Sequence, residues 1–207
     1  MFAFTMDPTR TLLGYLVRHG ELPNMNIWDS WGGYDLSAEG RQQAEAAARW
    51  LSFGSIGRVV SSDLPRSMHT AQCLMDTGAV DCPYMACEPN LRPWFLADEF
   101  TGKEKTPERI ASFQKYLDDT SLVIPGGESH DQFRDRVQIV YQYLATPYNS
   151  KPTAIFVHNS VIKAVMGVSD VKDAVATGGI VAVYMDEKSE ISFEVVLGQV
   201  EPEKGVS

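Results

Sequence analysis

The sequence predicts an α/β fold, a three-layer sandwich in which a mainly parallel central sheet is flanked by helices. Three observations carry this: short β-branched apolar runs, longer runs of helical period between them, and Gly, Pro, Asn and Asp at the junctions. The 207 residues suit a single domain spanning 1–207 with a core of ordinary size.

The first strand is the apolar run through Leu12-Leu13-Gly14-Tyr15-Leu16-Val17, which ends in Arg18-His19-Gly20-Glu21. It is too short and too Gly-bounded for a helix. Glu21 to Tyr34, rich in Asn, Trp, Gly and Pro, is an irregular loop. Ser37 can cap a helix carrying Ala44, Ala47, Ala48 and Leu51 at helical spacing. Arg58 to Ser61 is a second strand. Pro65 opens a helix running to about Thr77, with Ser62 or Asp63 as candidate caps and Arg66 in its first turn, near backbone N–H groups that favour an anion.

Tyr84 to Cys87 is a third strand leading into Glu88 to Trp94, and from there to Lys105 there is no clean period. Thr106-Pro107-Glu108 starts a helix to Leu117. Residues 79–130, weaker in period, form a lid or insertion. The clearest amphipathic helix has Phe133, Val137, Val140, Tyr141 and Leu144 as one stripe. Thr153 to Val157 is a strand ending in His158-Asn159-Ser160, Val161 to Gly167 is helix, and Ile180 to Met185 and Ile191 to Leu197 are paired strands. The tail from Glu201 is expected to fray.

The chain is 44% apolar and 22% charged, as ordinary globular proteins are, and its net charge of −9 argues against a nucleic-acid partner. No run approaches a membrane span, and Met1 to Arg10 lacks the form of a signal peptide. Cys73, Cys82 and Cys87 are odd in number and lack metal-ligand spacing, as expected of reduced thiols in the cytoplasm. Two strands end in histidine, His19 and His158, and a strand-to-helix turn presents Arg66 beside the Arg18 strand end. If these ends share one crevice, two imidazoles and two guanidiniums converge in an acidic protein, a set suited to a phosphoryl group. His69 and His130 read as surface or packing residues. Trp28, Trp31 and Trp94 either pack their loops or line the pocket.

Leu16-Val17-Arg18-His19-Gly20-Glu21 resembles the Arg-His-Gly signature of the histidine phosphatase superfamily, the clan of the phosphoglycerate mutases. Ser61 to Ala71, Pro125-Gly126-Gly127-Glu128-Ser129 and Phe156-Val157-His158-Asn159-Ser160 resemble its later elements, in the same order. The resemblance covers most of the chain. It implies a phosphoglycerate mutase-like fold, His19 as nucleophile, and Arg18, Arg66 and His158 around the phosphoryl oxygens, with no metal and no cofactor. It also implies substrate contacts from Glu21, from Asn159 and from Asn24 or Asn26.

Two positions depart from the family pattern. Pro93 follows Leu91-Arg92 where a proton-donating Glu is usual, so the acid falls to Asp98, with Glu99, Glu88 or no dedicated acid as alternatives. Asn159 stands where Gly is usual. The expected activity is metal-independent, acid phosphatase-type hydrolysis of a small phosphorylated metabolite through phosphohistidine. The alternatives are a mutase and a non-catalytic binding protein, and a homodimer is left open. The loops at Met25 to Gly33 and Arg92 to Ser121 are expected to set the substrate.

Overall fold

The computed structural model describes residues 9–168 and 175–198. The tail from Glu201, and most of Met1 to Arg10, lie outside the described residues.

Six strands form one sheet, β1 (Arg10–Arg18), β2 (Arg58–Ser61), β3 (Met85–Cys87), β4 (Thr153–Val157), β5 (Ile180–Asp186) and β6 (Ile191–Leu197), in the order β3-β2-β4-β1-β5-β6. β1 to β4 pair in parallel, while β5 and β6 run antiparallel at one edge. The sheet is therefore mixed and parallel at its centre. The C-terminal half of β1 is buried on both faces, which is why it is a continuous apolar run rather than an alternating one.

One face of the sheet, with Tyr15, Val17, Val59 and Phe156, packs on α1 (Ala38–Ser52) and α2 (Pro65–Met75) through Ala47, Ala48, Leu51, Ala71 and Leu74. The other face, with Leu16, Val60, Ile155 and Val181, packs on α5 (His130–Val137), α6 (Ile139–Ala145) and α7 (Asn159–Met166). The short α3 (Ala97–Phe100) and α4 (Pro107–Asp118) join that second cluster through Phe100, Phe113 and Tyr116.

Three elements differ from the sequence expectation. The stripe from Phe133 to Leu144 is two helices, not one. The side-chain amide of Gln138 donates to the carbonyl of Arg134, and its backbone N–H turns to Asp135, which breaks the ladder there. α2 has Leu64 at its N-cap with no side-chain bond, because the Asp63 carboxylate is held by Arg92 at 2.7 and 2.5 Å and Ser62 Oγ lies 2.9 Å from His158. α3 lies in the segment without a clean period, and a 3-10 turn at Pro89–Leu91 precedes it. Ser37 does cap α1, accepting from the Gly40 N–H.

Candidate active site

β4 lies between β1 and β2, so the chain order reverses there and a crevice opens beyond the strand ends. Arg18 pairs with Val157 and Ser61 with Phe156, which brings His19 level with His158 and Ser62 one residue below them at the same edge. The His19 and His158 rings are 5.2 Å apart between centroids. His19, Arg18, Arg66 and His158 are all buried around one cavity of about 310 Å³.

Close packing fixes the turn after β1. The Gly20 N–H donates to Thr70 on α2, whose hydroxyl donates to the Arg66 carbonyl. A Cβ on Gly20 would run into the Gly40 carbonyl oxygen, and one on Gly40 would run into that of Glu21. Neither position admits a side chain. The glycine of the signature is thus a packing requirement as well as a motif letter.

The hydrogen bonds settle both histidine tautomers. His19 Nδ1 lies 2.7 Å from the Gly20 carbonyl, which can only accept, so Nδ1 carries the proton and Nε2 keeps its lone pair. Burial, then Arg66 and Arg18, hold the His19 pKa well below its ordinary value, so the ring is neutral at neutral pH. His158 is the reverse. Its Nδ1 accepts from Arg66 Nε at 3.2 Å, and Nε2 carries its proton toward Ser62 Oγ. Burial and Arg66 hold its pKa down also.

Arg66 is 1% exposed, and all five of its N–H groups have protein partners. Nε reaches His158, Nη1 reaches Asp29 Oδ2 and the Gly32 carbonyl, and Nη2 reaches the carbonyls of Asp29 and Ser30. Arg66 contributes positive charge to the cavity while its hydrogen bonds hold the loop at 29–32. Burial pulls its pKa down to about 10, opposed by the Asp29 charge, so it stays cationic at neutral pH. Arg18 Nη1 donates to the Val175 carbonyl at 2.7 Å.

Asn24 and Asn159 line the cavity, with Asn159 at the start of α7. Glu21 does not. It faces α1, accepting from Ser37 through both its carbonyl and its carboxylate. The expected acid, Asp98, is also outside the cavity wall. Phe100 anchors α3 inward against Trp28 and Phe113, which turns Asp98 and Glu99 out to solvent. Glu88 caps the 3-10 turn and accepts from Tyr143. Among the described residues the carboxylate on the wall is Asp29, committed to Arg66.

Trp28 and Trp94 line the cavity, whereas Trp31 packs outside it, stacked on Phe95 at 4.3 Å beneath Arg92. His69 is a surface residue beside Asp35. His130 packs with its ring 4.8 Å from Trp94, and it also lies on the cavity wall. Sequence patterns do not single out Asp29 or Arg136. Arg136 clamps Glu128 of the Gly-Glu-Ser segment and donates to the carbonyls of Asn90, Arg92 and Pro93. Glu128 thereby serves the architecture of the loop. Neither Asp29 nor Arg136 belongs to a spacing pattern that local sequence could reveal.

A profile of the histidine phosphatase superfamily (branch 1) matches residues 14–170. The chain is 31% identical over 164 residues to a bifunctional protein of Mycobacterium tuberculosis, an alignment covering 77% of this chain and 43% of that relative. It thus aligns with less than half the length of the mycobacterial relatives it matches. It is 32% identical over 147 residues to a probable phosphoglycerate mutase of Serratia proteamaculans, covering 68% of this chain and 67% of the relative. Among solved structures, a mycobacterial glucosyl-3-phosphoglycerate phosphatase superposes with a TM-score of 0.72 at 20% identity, over 92% of this chain and 98% of the other, a likeness of fold. A phosphoglycerate mutase of Thermus thermophilus does so with a TM-score of 0.63 at 26% identity, over 90% and 98%.

Proposed function

The chain belongs to the histidine phosphatase superfamily, and from that membership we propose that it is a phosphomonoester hydrolase working through a covalent phosphohistidine on His19. The observation that carries the reading is the His19 tautomer. An imidazole with Nδ1–H donated to the Gly20 carbonyl keeps a lone pair on Nε2, and burial, then the nearby cations, keep that nitrogen unprotonated.

Nε2 attacks phosphorus, the bond to the alcohol oxygen breaks, and the alcohol leaves with a proton drawn from solvent. Water then cleaves the N–P bond, returning His19 and inorganic phosphate. Arg18 and Arg66 supply positive charge where the transferring group is most anionic, and Asn24 and Asn159, both on the cavity wall, are the amides expected to bind it. No step requires a metal. Since Asp98, Glu99 and Glu88 lie off the cavity wall, esters with good leaving groups react fastest.

A mutase is the second reading, favoured by the Serratia and Thermus likenesses. The two separate on activation by a bisphosphorylated primer. The test of the main reading is hydrolysis of p-nitrophenyl phosphate with chelator present. Turnover by the wild type and its loss in His19→Ala support it, while turnover retained by His19→Ala refutes it.

A further inference from the structure

Beyond His19 and its cationic neighbours, much of the cavity wall is carbon. Met25, Trp28, Trp94, Ile110, Phe113 and Phe133 are among the side chains that form it. These side chains brace one another. Trp28 packs on Phe113 with ring centroids 5.8 Å apart, Phe113 on Trp94 at 5.1 Å, and Trp94 lies nearly parallel to Phe133 at 6.2 Å. The aromatic surface is built into the second core cluster, so it is present before any ligand arrives.

Polar side chains share the wall with this surface, Asn24, Lys105, His130, Ser160 and Lys163 among them, and some are committed within the protein. Asp29 is paired with Arg66, its other oxygen lies against Gly32, and Lys105 Nζ donates to the Met25 carbonyl at 2.8 Å. Hydroxyls of a leaving alcohol seated against Trp28, Trp94 and Phe113 would lose their water against carbon. An apolar ring loses nothing of that kind and gains offset or edge contacts with fixed aromatic neighbours. A cavity of about 310 Å³ has room for a phosphoryl group and a small ring system.

We propose that the substrate is a small phosphomonoester whose alcohol part carries an apolar aromatic group of one or two rings, seated against Trp28, Trp94 and Phe113. This rests on the phosphatase reading above, which places the phosphoryl group at His19.

The test compares 2-phenylethyl phosphate with glycerol 3-phosphate. Both release primary alkoxides, so leaving-group chemistry is closely matched and the comparison isolates recognition of the ring. The expected result is kcat/KM at least tenfold higher for 2-phenylethyl phosphate, with most of that preference lost in Trp28→Ala through a raised KM. Because Trp28 also packs on Phe100, Met25→Asp at the half-buried edge of the wall provides a second variant, in which the preference also falls. Equal or reversed preference, in an enzyme that turns over p-nitrophenyl phosphate through His19, overturns the aromatic assignment and leaves the phosphatase reading intact. Absence of turnover on every ester, with no phosphoenzyme formed, overturns both.

Discussion

Asp29 and Arg66 form a buried ion pair, 2.9 Å from Nη1 to Oδ2, with side chains 4% and 1% exposed. The carboxylate comes from an irregular loop and the guanidinium from the first turn of α2, so the pair ties that loop to the helix. It also holds Arg66 as a fixed cation beside His19. Removing the carboxylate leaves a buried charge without its counter-ion, the costly case for such pairs. Asp29→Ala is expected to lose about 3–5 kcal/mol in urea unfolding. Asp29→Asn, which keeps an acceptor for Nη1, is expected to lose less.

Gly20 and Gly40 interlock where the β1 turn meets α1, each occupying the space a neighbour's side chain would need. In Gly40→Ala the added methyl meets Glu21 backbone, which cannot rotate aside. Overpacking of this kind costs about 1–3 kcal/mol. The loss is expected in thermal unfolding, together with reduced turnover because the Gly20 carbonyl that orients His19 shifts. Unchanged stability in the Gly40→Ala variant would contradict the close approach.

Arg136 and Glu128 form a bidentate pair whose remaining donors bind three carbonyls between Asn90 and Pro93. Arg136→Met preserves length and removes all five donors. The expected cost is about 3 kcal/mol, read by denaturant midpoint. The 90–95 segment is expected to gain hydrogen exchange, and Glu128→Gln should show a weaker form of the same change.

Burial holds His19 and His158 well below the ordinary histidine pKa of about 6.5. The sign follows from proton counting. Below about pH 6.5 the unfolded chain takes up protons that the folded chain does not, so their stabilising contribution is complete above that pH and lost as pH falls. His130, lowered by burial, adds to the same limb. The slope of stability against pH is expected to approach about 1.4 kcal/mol per unit for each histidine, and His158→Gln should remove one proton's share. A flat profile from pH 7 to pH 5 would contradict the buried neutral rings.

The strands and most helices were legible because each depends on local period and on punctuation such as Ser37 and Pro65. The convergence of His19, Arg18, Arg66 and His158 was legible because three strand ends carry them, and a parallel sheet brings such ends to one side. Positions decided by tertiary contacts were not. Asp98 is among the carboxyls that follow Pro93 in sequence, yet the inward pull of Phe100 turns it outward. In sequence Asp29 is like any polar loop residue, and its role depends on Arg66, 37 positions away. The break at Gln138 comes from a side-chain bond that leaves the apolar stripe unaltered.

The central claim is that His19 Nε2 takes the phosphoryl group, and rapid alkaline quench during turnover of p-nitrophenyl phosphate tests it most directly. Peptide mass spectrometry should find one alkali-stable, acid-labile phosphoryl group on the peptide containing His19, absent in His19→Ala. Turnover without label on that peptide, or with label on another residue, would contradict the account.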